Sequence, residues 1–197
     1  MRWITFFLCL LLSFSLSAET IDSTTSKLYK FIPNSTILQF AGNIGMFSTG
    51  VRYVTPNKHW KGAFLYGFVP ARYAADKPIH SVTVKGQYST MNHRYGPTIQ
   101  IEWLNVGLWY NYSFGRSYFS NLPRHYDDGY YYFPTAINIG LTLGSELRHK
   151  KWGLYYEIGT TDKRVINFVK SPKAVSFREI WNIGIGIVYH LKQEVSL

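Results

Sequence analysis

Between residues 135 and 148 the chain changes character at every step, and this alternation constrains the fold more than any other feature. Ile137, Ile139, Leu141, Leu143 and Leu147 fall on one parity; Asn138, Gly140, Thr142, Gly144, Glu146 and Arg148 fall on the other. A period of two marks a β-strand, whose successive side chains point to opposite faces of a sheet. The apolar parity spans about 11 residues, the length with which a tilted strand crosses a bilayer.

Alternation by itself does not separate a membrane barrel from a soluble barrel or sandwich. The sizes on the two faces do. A soluble barrel packs bulk inside and puts charge outside. Here one face is Ile, Leu, Trp, Tyr and Phe, and the other is Gly, Asn, Thr, Ser and isolated charges. Glycine weakens a solvent-facing strand, but in a narrow lumen it makes room. The expected class is therefore all-β: a closed antiparallel transmembrane β-barrel with a polar interior.

The pattern recurs. Phe177, Trp181, Ile183, Ile185, Ile187, Tyr189 and Leu191 alternate with Arg178, Asn182, Gly184, Gly186 and His190. Trp152, Leu154, Tyr156 and Ile158 alternate with Gly153, Tyr155, Glu157 and Gly159. Residues 60–70 and 79–90 read as strands, and residues 99–114 as a longer one whose phase flips near Trp103 and Leu104, which predicts a bulge or a break. Residues 36–54 change phase near Ser48 and hold two strands, or a strand and an irregular turn; the two-strand division is the one used in the count. Short turns fall at residues 55–59, 91–97 and 149–151, longer ones at 71–78, 116–129 and 162–175. That asymmetry matches barrels with short periplasmic turns and long external loops. The count is about eight strands, with ten as the alternative, over residues 35–191. A lead at 19–34 and a tail at 192–197 flank them.

Residues 1–18 carry Arg2, an apolar stretch from Trp3 to Leu12, and the small residues Ser17 and Ala18 before Glu19. This is the pattern of a cleaved secretory signal peptide, and it is too short for a spanning helix. Cys9, the single cysteine, lies inside it, so the mature chain is expected to have neither a disulfide nor a thiolate. Aromatic residues make up 18% of the chain. Several gather at strand ends (Trp60, Tyr130 to Phe133, Trp152, Phe177, Tyr189), as in an interfacial girdle. The net charge of +10 excludes nucleic acid less by itself than together with export. Its natural counterparts outside a cell are outer-membrane lipid headgroups and lipopolysaccharide phosphates.

The stretch Asn182-Ile183-Gly184-Ile185-Gly186-Ile187-Val188-Tyr189 resembles the terminal-strand signal of small bacterial outer-membrane barrels. The matching positions are a polar residue (Asn182), a glycine (Gly184) and alternating apolar or aromatic residues (Ile187, Tyr189). The resemblance implies an outer-membrane location and recognition by the barrel-assembly machinery, through strand addition to an exposed edge.

Three groups of residues are candidates for function. Lys85, Glu146, Arg148, Glu157 and Arg178 take inward parity, where opposite charges must pair. They form either a plug-like network or a polar pathway. The loop residues Arg116, Arg124, His125 and Tyr126 combine charge with aromatic surface, as a ligand-binding loop does. The histidines (His59, His80, His93, His125, His149, His190) are scattered without metal-site spacing, and nothing indicates a metal or cofactor. Tyr156 to Thr161 lacks the His and Ser, two residues apart, of outer-membrane lipid A deacylases. The leading expectation is a non-enzymatic outer-membrane protein, structural or interacting with surface ligands. The alternatives are an enzyme acting on lipid or lipopolysaccharide and a small-solute channel, the latter needing a wider barrel.

Overall fold

A computed structural model of the chain describes residues 31–42, 44–74, 77–115, 118–119, 134–172 and 176–192. The expected signal peptide and most of the lead lie outside the described residues. Eight strands follow in order: β1 (Ser35–Ala41), β2 (Phe47–Val54), β3 (Trp60–Val69), β4 (Ile79–Tyr95), β5 (Ile99–Phe114), β6 (Ile137–His149), β7 (Trp152–Thr161) and β8 (Asn182–His190). Each pairs antiparallel with its neighbours, and β8 pairs back on β1 from Ser35↔His190 to Ala41↔Gly184, so the sheet closes. Among the described residues, no helix is long and apolar enough to cross a membrane.

Parity decides which side chains face in. On β6, Ile139, Leu141, Leu143 and Leu147 are exposed on the outer surface, while Thr142 and Glu146 are buried in the lumen. The same split holds on β3, β7 and β8. An outer band of exposed Leu, Ile, Val, Phe and Tyr encircles an interior of Ser, Thr, Asn, Gln and paired charges. Apolar residues inside (Ile37, Ile44, Ala63, Leu65, Trp109 and Val188, with Tyr155 against them) fill the remaining space. Ile44 reaches the lumen from the β1–β2 connection, where its carbonyl accepts from Ser81 Oγ at 3.0 Å.

The two ends differ. Short turns join β2–β3, β4–β5 and β6–β7 at the end where β1 begins and β8 finishes; we call it the terminal end. They turn on left-handed residues: Lys58 (φ 60°), Gly96 (φ 68°) and Lys150 (φ 55°). The β5–β6 and β7–β8 connections at the opposite, loop end are long. The β7–β8 connection contains a helix, α1 (Asp162–Lys170), and a 3-10 turn at Phe177–Ile180. Thr161 starts the helix, its Oγ1 accepting from Arg164 N at 3.3 Å.

Three sequence expectations need correction. The turn expected at residues 91–97 is confined to residues 96–98. β4 runs on to Tyr95, paired with Ile99, because the β4–β5 hairpin projects past β3, whose last partner is Tyr88. On β4, residues 90–95 are exposed on both faces, so their alternation is lost. The final strand begins at Asn182 rather than at Phe177, because Ser176 caps a 3-10 turn there. The stretch read as a loop at residues 162–175 holds α1. The predicted bulge is present: Trp103 and Leu104 together oppose Ser145, between the pairs Glu102↔Glu146 and Asn105↔Gly144.

Close packing leaves particular glycines no room. A Cβ on Gly140 would run into the Thr160 carbonyl and the Trp109 ring, whereas one on Gly62 would meet nothing. Gly140→Val is therefore expected to cost about 1–3 kcal/mol or more through overpacking, and Gly62→Val close to nothing. Denaturant midpoints of the two variants, compared with the parent, check this contrast.

Candidate functional site

The buried charges of the lumen divide by strand. Arg52, Lys61 and Lys85 come from β2, β3 and β4; Glu102, Glu146 and Glu157 come from β5, β6 and β7. One wall is cationic and the facing wall anionic, with Gln39 of β1 and His190 of β8 at the seam. Each pair therefore bridges the lumen rather than joining adjacent strands.

Two clusters result. Toward the terminal end, Arg52 donates through Nη1 and Nη2 to Oε2 and Oε1 of Glu146, at 2.6 and 2.9 Å. This bidentate geometry is the strongest carboxylate contact an arginine makes. Arg52 Nε donates to Ser35 Oγ at 3.1 Å, and His190 Nε2 lies 3.3 Å from Glu146 Oε1. Lys61 Nζ pairs with Glu102 and sits 3.9 Å from Glu146. Asn105 Nδ2 donates to Glu102 at 3.1 Å. The bulge makes that cluster possible: the phase slip turns both Glu102 and Asn105 inward, although they are three residues apart.

Nearer the middle, Lys85 Nζ donates to both oxygens of Glu157, at 2.8 and 2.7 Å. Gln39 Nε2 donates to Glu157 Oε1 at 2.9 Å, and Tyr155 OH donates to Gln39 Oε1 at 2.8 Å. A void lined by Arg52, Lys85, Gln87, Asn105, Glu146 and Tyr155 has room for about one water molecule.

The sequence-predicted residues fall in different places. Lys85, Glu146 and Glu157 meet in the lumen. Arg148 has inward parity but sits half-buried at the terminal rim, its Nε donating to Lys150 O at 3.0 Å. Arg178 is not in the lumen: it stands exposed on the 3-10 turn, since β8 starts later than the alternation suggested. Asn182, Gly184, Ile187 and Tyr189 all lie on β8. Ile187 faces outward, Gly184 packs over Gln39, and the Tyr189 ring meets Trp152 edge-on at 4.9 Å. Arg116, Arg124, His125 and Tyr126 lie outside the described residues. Sequence reasoning missed Arg52, Lys61 and Glu102; Lys61 carried a usable signal, being one step out of phase with Trp60, Phe64, Tyr66 and Phe68.

At the loop end, α1 ties down the rim. Lys163 Nζ donates to Asn138 Oδ1 at 2.9 Å and Thr135 O at 3.3 Å. Partial burial there pushes its amine below the ordinary lysine range. Arg164 Nη1 donates to Asn182 Oδ1 at 2.8 Å and Glu179 O at 3.0 Å. Ser35, His190 and Glu146 are neighbours, yet Ser35 is wholly buried and its Oγ is engaged by Arg52. A nucleophile needs the reverse, a free hydroxyl within reach of substrate. Among the described residues, no three His, Cys, Asp or Glu side chains gather as for a metal.

Compared with protein-family models, curated proteins and solved structures, the chain matches none.

Removing one member of a buried pair strands the other and costs about 3–5 kcal/mol, whereas replacing both by apolar residues is often close to neutral. Glu157→Met is thus expected to lower the unfolding free energy by about that amount, and Lys85→Met/Glu157→Met to recover most of it. Gln39 Nε2 keeps a second acceptor, Ala41 O at 3.3 Å. Glu146→Met strands Arg52 and takes the carboxylate from beside His190, while Lys61 keeps Glu102, so it is expected to cost about as much as Glu157→Met. Denaturant titrations of the three variants test the bridges. Equal stability of Glu157→Met and the double variant would overturn the argument.

Proposed function

We propose that this chain is an integral β-barrel of a bacterial outer membrane, non-enzymatic, with a filled lumen and its loop end turned outward. One observation carries the reading: the protein is inside out. Leu38, Leu108, Leu141, Leu154, Ile183 and Ile185 are each more than half exposed on the outer surface, while Arg52, Lys85, Glu146 and Glu157 are buried. Withdrawing one such apolar side chain from water is worth about 1.5–3 kcal/mol. A whole encircling band left in water would outweigh the marginal stability of a domain. Hydrocarbon removes that cost, and closure of the sheet leaves no strand edge to be satisfied by lipid.

The bridged lumen supports a structural or surface-interacting role over conduction, since an eight-stranded barrel has space for little beyond its own side chains. Its interfacial partners are then lipid and lipopolysaccharide. β8, which closes the ring on β1, carries the segment offered to the assembly machinery. Export through the N-terminal signal belongs to the same proposal.

The membrane-extracted protein is expected to run anomalously on a gel before boiling and normally after it. Purified protein in planar bilayers is expected to give no steady conductance. A folded protein that stays in solution without detergent would refute the membrane reading, and a stable open current would refute the filled lumen.

A further inference from the structure

α1 grips the barrel with polar side chains and leaves part of its apolar surface outside: Ile166 and Phe168 are partly buried, but Val165 and Val169 are exposed. Lys163 and Arg164 point into the rim, bonded to Asn138 of β6 and Asn182 of β8. At about 3.6 residues per turn, Val165 and Val169 stack on the side away from those contacts. They are 40% and 71% exposed. A helix at the surface of a water-soluble domain turns its whole apolar stripe toward the core, and two exposed valines one turn apart depart from that.

The stripe also continues something larger. α1 follows β7 directly, whose outward residues Leu154, Tyr156 and Ile158 belong to the apolar band. The 3-10 turn leads into β8, whose outward residues are Ile183, Ile185 and Ile187. Between them, Phe168, Phe177 and Trp181 form an aromatic chain, with ring centroids 6.0 and 5.9 Å apart. Aromatic clusters at strand ends mark the depth of a headgroup layer. Exposed Lys170 and Arg178 flank the apolar residues, against the acids Asp162 and Glu179 on the same segment. Basic side chains beside an apolar stripe are the composition of a helix lying in an anionic lipid interface.

We propose that α1 and the 3-10 turn form an interfacial anchor seated in a phosphate-bearing lipid leaflet. Val165, Val169 and Phe177 enter the acyl boundary, and Lys170 and Arg178 meet the phosphates. The proposal rests on the membrane reading above and adds to it where the long connection lies and what it touches. A protein partner would need a broader surface than two valines and a phenylalanine. Continuity with the band favours the lipid.

The test uses the full chain with Cys9→Ser and Val169→Cys, labelled with a polarity-sensitive fluorophore. The protein is inserted into vesicles of phosphatidylcholine and phosphatidylglycerol, with and without brominated acyl chains. The expected result is a blue-shifted emission, most of it lost in brominated vesicles. The same label at Asn57→Cys, on the tip of the β2–β3 turn, is expected to stay water-like. Lys170→Gln/Arg178→Gln is expected to shrink the blue shift. Val165→Cys gives the same reading where the first variant does not fold. Protein that shows the heat-dependent mobility shift yet carries a water-like label at both positions overturns the anchor alone. Protein that never inserts overturns the anchor together with the membrane reading.

Discussion

The bridges across the lumen are the constraint on which the rest of the structure depends. Arg52, Lys61 and Lys85 on three consecutive strands face Glu102, Glu146 and Glu157 on the next three. An ion in so narrow a space retains little of its hydration, and the cost of stripping it is recovered only by a well-placed counterion with its remaining bonding sites satisfied. That requirement fixes more than stability. The two walls satisfy each other only when β2–β4 and β5–β7 stand on opposite sides of a closed ring. A sheet slipped by one residue would send every one of these charges to the outer face. Closure, register and interior neutrality are thus one condition met together.

The small residues follow from that condition. Side chains long enough to bridge the lumen, and rings such as Trp109 and Tyr155, need neighbours that yield space. Gly140 lies against Trp109 and Gly186 against the Tyr155 ring, where a Cβ would overlap in both cases. The inward parity of β6, β7 and β8 is therefore rich in glycine, because large inward side chains of neighbouring strands fill the volume. The same economy explains why most of the bulk is on the outer face, the lumen having room for only a few large side chains such as Trp109.

Much of this was legible from the order of residues alone, and the parts that were not have physical causes. β6, β7 and most of β8 alternate without interruption, so Glu146 and Glu157 announced themselves as inward. Glu102 was hidden by the bulge at Trp103 and Leu104, which shifts its parity relative to Asn105 and the rest of β5. Arg52 was hidden because the phase change was read near Ser48, inside β2, whereas the chain turns at residues 42–46. Arg178 was misplaced for a different reason. Phe177 and Trp181 are four apart, a spacing that fits two strand periods and about one helical turn equally well. α1 had its marks, with Thr161 as cap and Val165 and Val169 one turn apart. A long polar connection after a strand nonetheless reads first as a loop.

The distribution of constraint in the barrel also says where chemistry is free to vary. A substitution at a bridged lumen position removes several kcal/mol from a fold whose whole margin is of the order of 5–15 kcal/mol. On the membrane reading proposed above, the outer band tolerates exchange among apolar residues but not charge. The terminal end is occupied by tight turns that depend on left-handed residues. The loop end carries the long connections. Its described part already departs from the barrel's rule, with a helix that grips the rim through Lys163 and Arg164 and leaves Val165 and Val169 exposed. A scaffold so fully committed to its own closure can acquire specificity only there, by changing what the rim presents and leaving the lumen untouched.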